Sequence, residues 1–396
     1  MYYKIKVKSE DFYVKEIISL PIKDKGPYGV FILKKRGWNT VDLLKRIGKN
    51  LGIPFSNISY GGKKDRHALT EQFITIKNIK RKILVKDGNY SLHLIGFSEE
   101  PMDPRHIIGN EFKIVIRSIS KEAEEFLYEP LKSIEKYGFI NYFDDQRFGS
   151  FDPRQGFIGE KIIKGHYNGA LKIYLTHIYP EDKKEARERK KFLFENWGNW
   201  QRCLGVAKTQ MENFAFNYLT EKPKDYLTIL KKIPREDMSM FFSAYQSFLW
   251  NETVRRLLIF LLSEEEIIIH KGITGDYIFF NEIDKEKFSY LMKLQIPTAS
   301  SKLKIPDERT EKIYNDLLNE RDVKPSMFNL KKIRQAFFKS VARDVLVKPK
   351  SFNYNIEDDE VYENRRKITL SFFLPRGSYA TMLIKRIFAK KPKRRQ

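Results

Sequence analysis

The sequence predicts an α+β fold with strands at both ends of the chain and helices between them. Three features carry that prediction. The first 80 residues are rich in β-branched and aromatic runs, long helical patterns fill the middle, and strand character returns from about residue 350. β-rich ends around a helical centre are what an insertion into one parent domain produces; three serial domains share the same pattern.

The elements follow in order. Phe12–Ile18 and Tyr28–Leu33 are strands by composition. Gly37-Trp38-Asn39-Thr40 is a turn, with Thr40 placed to cap a helix whose Leu43, Leu44, Ile47 and Leu51 keep helical spacing. Gly52 and Pro54 end that helix. Gln72–Ile76 is a strand, and Phe112–Arg117 alternates as one. Lys121–Tyr137 reads as a helix with Leu127, Leu131 and Ile134 on one side, Pro130 in its middle and Gly138 at its end. Glu181–Lys191 is almost all charged and mixes both signs, which fits a solvated helix face better than an RNA-binding arm. Ser243–Leu262 is a long helical pattern, and Lys367–Leu374 is a strand near the end.

Composition narrows the function class. The 396 residues are 41% apolar and 14% aromatic, ample for a buried core. Lys and Arg exceed Asp and Glu by 74 to 51, a net charge of +23 that favours a polyanionic partner, nucleic acid or an anionic membrane. No apolar run is long enough to span a membrane, and Met1–Val7 alternates charged and apolar residues without a signal-peptide core. Cys203 is the single cysteine, so neither an intrachain disulfide nor a multi-cysteine zinc site is expected. No two of the six histidines stand four residues apart. These features predict a soluble, basic, cytoplasmic protein in a reducing compartment, with no membrane span, no multi-cysteine zinc site and no helical His pair for a metal.

Three segments are candidates for chemistry. In Tyr60–Gln72, two glycines follow a short apolar strand and turn the chain, and Asp65 sits between Lys64 and Arg66. Neighbouring cations lower a carboxylate's pKa, which suits Asp65 to act as a nucleophile and not as a proton donor. On composition alone, a basic turn whose Asp is a local cap is the better fit. The second segment, Gly138–Gly149, interleaves aromatics with Asn, Gln and Arg, which suits base stacking and edge reading or a buried aromatic strand end. Asp144, Asp145 and Asp152 raise a carboxylate-cluster reading with Mg²⁺. The third, Phe373–Thr381, joins a strand end to a helix start that offers free backbone N–H groups to an anion, or is an ordinary connection.

Lys64-Asp65-Arg66-His67-Ala68-x-Thr70-x-Gln72 resembles the signature of the TruD family of tRNA pseudouridine synthases. Further matches keep the family's order: Glu10-Asp11-Phe12-x-Val14-x-Glu16, Gly37-Trp38-Asn39-Thr40, Gly109-Asn110-x-Phe112-x-x-x-Ile116-Arg117, Asn141-Tyr142-Phe143-x-x-Gln146-Arg147-Phe148-Gly149 and Leu374-Pro375-x-Gly377-Ser378-Tyr379-Ala380-Thr381. Ser243–Asn251 resembles a helix of the family's inserted domain. Two departures stand out: Asp144 replaces a common Gly, and Ser9 a frequent Pro.

The resemblance implies a pseudouridine synthase fold, an α/β (α+β) architecture with a mixed, largely antiparallel sheet flanked by helices, plus an inserted α/β domain. Residues 1–165 and 341–396 would form the catalytic domain and 166–340 the insertion. It implies isomerisation of a uridine, at position 13 in the D-arm of glutamate tRNA, by an Asp nucleophile attacking C1′ or C6, without cofactor or metal. Asp65 would be catalytic. Phe143 would stack on the flipped base, and Asn141 would hold the nucleophile or the base edge. Lys64 would pair with a phosphate or carboxylate, and Arg66 and His67 would meet backbone phosphate. Glu16 would position groups or take the C5 proton, unless it is an exposed strand residue. A monomer with tRNA as its partner and no obligate protein partner is expected. A non-catalytic tRNA-binding or RNA-folding protein on the same scaffold is the main alternative. A metal-dependent nuclease and a membrane-surface protein using the basic tail are further ones.

Overall fold

The computed structural model describes residues 2–79, 84–330, 333 and 338–392. Of the basic tail, residues 393–396 lie outside the described residues. The chain divides into two compact units, Met1–Phe139 with Val347–Phe388 and Ile140–Leu346 with Ala389–Gln396. Among the described residues no helix is long and apolar enough to cross a membrane.

The first unit is built on a mixed sheet. Its strands are β1 (Lys4–Ile5), β2 (Phe12–Ile18), β3 (Tyr28–Lys35), β4 (Ile58–Tyr60), β5 (Leu69–Lys77), β6 (Leu84–Asp87), β7 (Tyr90–Ser98), β8 (Ile107–Ser120), β9 (Lys350–Asp358) and β10 (Arg365–Pro375). The order is β9-β10-β8-β2-β5-β3-β7-β6, with β1 on β8 and β4 on β5. Only β2 and β5 run parallel, with Tyr13 opposite Leu69 and Lys15 opposite Glu71; the other pairs among the described residues are antiparallel. The sheet is thus mixed and largely antiparallel. The last two strands enter it from more than 200 residues away, so the two ends of the chain make one unit.

Helix α1 (Thr40–Leu51) lays Leu43, Leu44 and Ile47 on the inward residues Phe31, Leu33, Ile74, Ile76 and Leu92 of β3, β5 and β7. Its cap is Asn39, whose side chain accepts the Val41 N–H at 2.9 Å; Thr40 is the first helical residue, and its hydroxyl is used elsewhere. Gly52, in the left-handed region at φ +68°, ends the helix. Helix α2 (Glu125–Tyr137) follows a 3₁₀ turn at Lys121–Ala123, so the predicted single helix starts later. Pro130 lies inside it, while Leu127, Leu131 and Ile134 are wholly buried. Gly138 takes φ +81°, and a Cβ there would sit 2.2 Å from the Val347 carbonyl oxygen. Helix α3 (Ala380–Ile387) closes the unit, and its buried Arg386 donates to Ser133 of α2 at 2.8 Å.

The second unit is mainly helical. Its centre is Arg235–Leu261, 27 residues long, which begins after Pro234, eight residues before the predicted start. Every residue from Ala244 to Asn251 is buried, so this central part of the helix is enclosed on all sides and shows no polar stripe. Gln246 donates to the Ala299 carbonyl at 2.6 Å and Trp250 to the Ile296 carbonyl at 2.9 Å. The charged 181–191 stretch falls mostly in the helix Lys184–Glu195, where Leu193 is buried and the charges face outward or pair, as Arg189 does with Glu212.

Candidate active site

The first unit gathers Glu16, Lys64, Asp65, Arg66 and His67. Chain geometry explains how. Strand β2 alternates Phe12, Val14 and Glu16 inward, and all three are buried. The parallel ladder to β5 stops at Lys15 and Glu71. Beyond it, the Glu16 carboxylate takes the place of a ladder carbonyl and accepts the Phe73 N–H at 3.0 Å. Glu16 is fully buried, which corrects the reading of an exposed strand residue. Its other oxygen lies 2.7 Å from the Lys64 ammonium. Asn110, directly opposite Glu16 on β8, accepts from the same ammonium at 2.8 Å. Next to it, Gly109 lets β10 pass closely, since a Cβ would meet the Leu374 carbonyl oxygen at 2.3 Å.

Asp65 projects from the loop between β4 and β5. One oxygen accepts the His67 N–H at 2.8 Å and the other contacts the Lys6 ammonium. Its side chain is 32% exposed, so the carboxylate can be reached from solvent. Burial pushes its pKa up, but the Lys6 ammonium and the His67 N–H prevail and hold it below the ordinary Asp value. The anion is therefore maintained by different groups from those the sequence suggested. Lys64 is turned to Glu16 and Asn110, and Arg66 donates to the Gly37 carbonyl at 3.2 Å; both are sequence neighbours of Asp65 with other partners. Arg66 and His67 are exposed. Arg66 also borders a cavity of about 570 Å³ with Arg36, Trp38 and Asn39.

Of the two glycines of this loop, Gly61 acts through packing and not through turning. Neither takes a positive φ. A Cβ on Gly61 would come within 2.6 Å of Ile107, whereas Gly62 has open space.

Beneath the loop lies Lys35, which sequence reading missed. It is wholly buried. Its ammonium donates to the carbonyls of Trp38 (2.9 Å), Lys64 (3.3 Å) and Asp65 (2.9 Å). Burial pushes its pKa down to about 8, against the Asp65 charge that favours the ammonium and with the Lys64 charge that opposes it. The signal was the period-two pattern Phe31-x-Leu33-x-Lys35, which puts a lysine on the core face.

Asn141 and Phe143 belong to the second unit. Asn141 is buried; its amide donates to the Asp344 carbonyl at 3.1 Å and its side-chain oxygen accepts from Arg343 at 2.9 Å. The Arg343 guanidinium also lies over the Phe143 ring, 4.1 Å from its centre. Trp250 meets that ring edge-on at 5.6 Å. Asn251 brackets the Phe143 backbone, accepting its N–H at 2.9 Å and donating to its carbonyl at 2.8 Å. Phe143 is 9% exposed. Arg343, Trp250 and Asn251 were not among the predicted site residues.

Two of the three aspartates of the Mg²⁺ reading have separate partners. Asp145 accepts from the Ile273 N–H and the Tyr277 hydroxyl, while Asp152 accepts the Arg154 N–H and lies 3.3 Å from His177. Among the described residues, no group of three or more His, Cys, Asp or Glu side chains is arranged to hold a metal ion. At the third segment, Gly377 takes φ +90° and Tyr379 precedes α3.

Comparison with known proteins gives a consistent result. The family model of tRNA pseudouridine synthase D (TruD) matches residues 1–387. The tRNA pseudouridine synthase D of Leptospira interrogans is 34% identical over 97% of this chain and 96% of its own. That of Aquifex aeolicus is 32% identical over 97% and 98%. The crystal structure from Methanosarcina mazei described as TruD superposes with a TM-score of 0.74 at 25% identity, covering 97% of this chain and 92% of that one.

Proposed function

Because the chain belongs to the tRNA pseudouridine synthase D family, an isomerase family, we propose that it converts a uridine of tRNA to pseudouridine with Asp65 as nucleophile. The substrate we assign is uridine 13 in the D-arm of glutamate tRNA. The observation that carries the reading is the ionised, solvent-reachable Asp65 carboxylate within the motif Lys64-Asp65-Arg66-His67.

The chemistry is an isomerisation, so atoms and electrons balance within the substrate. Asp65 attacks C1′ or C6 of the uridine. The N1–C1′ bond breaks, the uracil turns, a C5–C1′ bond forms, and the bond from Asp65 to C1′ or C6 breaks, which returns the free carboxylate. The C5 proton leaves and N1 gains one. No electron acceptor is consumed, and we assign no cofactor.

The uridine must leave its stack first, which costs a few kcal/mol. We assign Phe143 as the ring that replaces the lost stacking, a contact of about 1–3 kcal/mol. Asn141 is assigned to the base edge. Glu16 and Asn110 fix Lys64 beside the nucleophile, so Glu16 is read as a positioning group for Lys64. Arg66 and His67 are assigned to backbone phosphate, and the net charge of +23 to the rest of the tRNA. The protein is proposed to act as a cytoplasmic monomer.

Reaction with an unmodified total tRNA pool, followed by position-resolved pseudouridine mapping, tests this. One new pseudouridine in the D-arm is the expected result. Product confined to other positions would overturn the substrate assignment, and no product would overturn the activity.

A further inference from the structure

A lysine is an expensive choice for the floor of a sheet. The inward face of β3 runs Phe31, Leu33, Lys35, and an apolar residue at the third place would complete the core without burying a charge. The ammonium is instead spent on backbone. It donates to Trp38, Lys64 and Asp65 carbonyls, two of which belong to the loop that carries the carboxylate. Thr40, also buried, works beside it. Its hydroxyl accepts the Lys64 N–H at 3.0 Å and donates to the Gln72 side chain at 3.2 Å, and Gln72 in turn donates to the Gly62 carbonyl at 3.3 Å. Backbone groups at 62, 64 and 65 are thus held from below by three buried side chains, from β3, α1 and β5. None of these contacts involves the Asp65 carboxylate itself, which is left to Lys6 and His67.

We propose that Lys35 and Thr40 are positioning residues for the reaction: they clamp the Asp65 loop so that its carboxylate is fixed where the uridine presents its reacting carbon. The inference rests on the reading of Asp65 as nucleophile. It predicts a loss in the chemical step and not in tRNA affinity, because both side chains are buried away from any RNA surface. A displaced nucleophile is costly: an error near 1 Å lowers rates by about 100-fold.

The test compares the full-length wild type with K35M, T40V, T40S and D65N on an unmodified tRNA transcript, reading the single-turnover rate constant, the tRNA Kd and the thermal melt. K35M should fold and react about 100-fold more slowly, with a Kd within about threefold of wild type. T40V, which keeps the side chain's shape, should be slower by about tenfold, and T40S, which keeps the hydroxyl, should match wild type. A folded K35M with the wild-type rate would overturn the clamp, as would equal losses in rate and affinity. If K35M does not fold, the Thr40 pair decides: equal rates for T40V and T40S would overturn it. D65N separates the two claims. Product from D65N would remove the nucleophile reading and the clamp with it; an inactive D65N beside fast K35M and T40V would remove the clamp alone.

Discussion

The Glu16 carboxylate and the Lys64 ammonium form an ion pair at 2.7 Å in which the acid is fully buried and the base nearly so. The partners come from β2 and from the loop after β4, so the pair fastens the candidate nucleophile's neighbour to the centre of the sheet. Breaking a buried pair leaves an uncompensated charge, which costs on the order of 3–5 kcal/mol. E16Q should therefore lose about 3 kcal/mol of stability in urea unfolding at neutral pH. A loss below about 0.5 kcal/mol, the usual effect of a surface change, would show that Lys64 finds another partner.

Asp65 sets the second expectation. Its folded pKa lies below the ordinary value, because Lys6 and the His67 N–H outweigh burial. A carboxylate with a depressed folded pKa contributes stability above its unfolded pKa, near pH 4, and loses that contribution as pH falls through the folded value. The stability difference between wild type and D65N should be constant from about pH 7 to 5 and should shrink on further acidification. Lys6→Met should shrink the part of this difference that is lost on acidification, because the folded pKa then moves up toward the unfolded one. A difference that declines already near pH 6 would contradict the depressed pKa.

Phe143 and Arg343 give the third. Arg343 lies over the Phe143 ring and bonds Asn141 through the side-chain oxygen, so one guanidinium orders both residues. F143A should slow the chemical step more than it weakens initial tRNA binding. R343A should reproduce part of that effect and destabilise the second unit by about 2 kcal/mol, the scale of a desolvated cation–π contact. Equal losses of rate and affinity in F143A would make Phe143 a core residue and nothing more.

The sheet was legible because its strands alternate cleanly: Phe12, Val14, Phe31, Leu33, Ile74 and Ile76 all face inward where period two puts them. Extending the same rule by two residues reaches Glu16 and Lys35, the charged residues on which the site depends. β-Branched and aromatic composition carries the strand from Tyr28 only to Leu33, whereas the strand itself continues to Lys35. The helix Arg235–Leu261 begins eight residues before the long apolar pattern that starts at Ser243, in a first part where Arg235, Glu236, Ser239 and Met240 are exposed. The sequence points to Thr40 as the cap, whereas Asn39 does that work. The pairing of Lys6 with Asp65 was beyond reach, because 59 residues separate them and only the folded sheet brings them together.

Charge gives the fourth. Phosphate contacts release counterions, so tRNA affinity should fall log-linearly with salt, with a slope of about −0.7 to −0.9 per contact. Removing the exposed Arg66 should lower that slope by about one, while the buried Lys35 should leave it unchanged. An unchanged slope in R66A would take Arg66 off the phosphate backbone.

The most direct measurement of the central claim is pseudouridine formation by D65N beside wild type, on the same unmodified tRNA and at matched occupancy confirmed by binding. The account predicts tRNA affinity close to wild type with no pseudouridine formed. Pseudouridine appearing at the wild-type rate in D65N would contradict it.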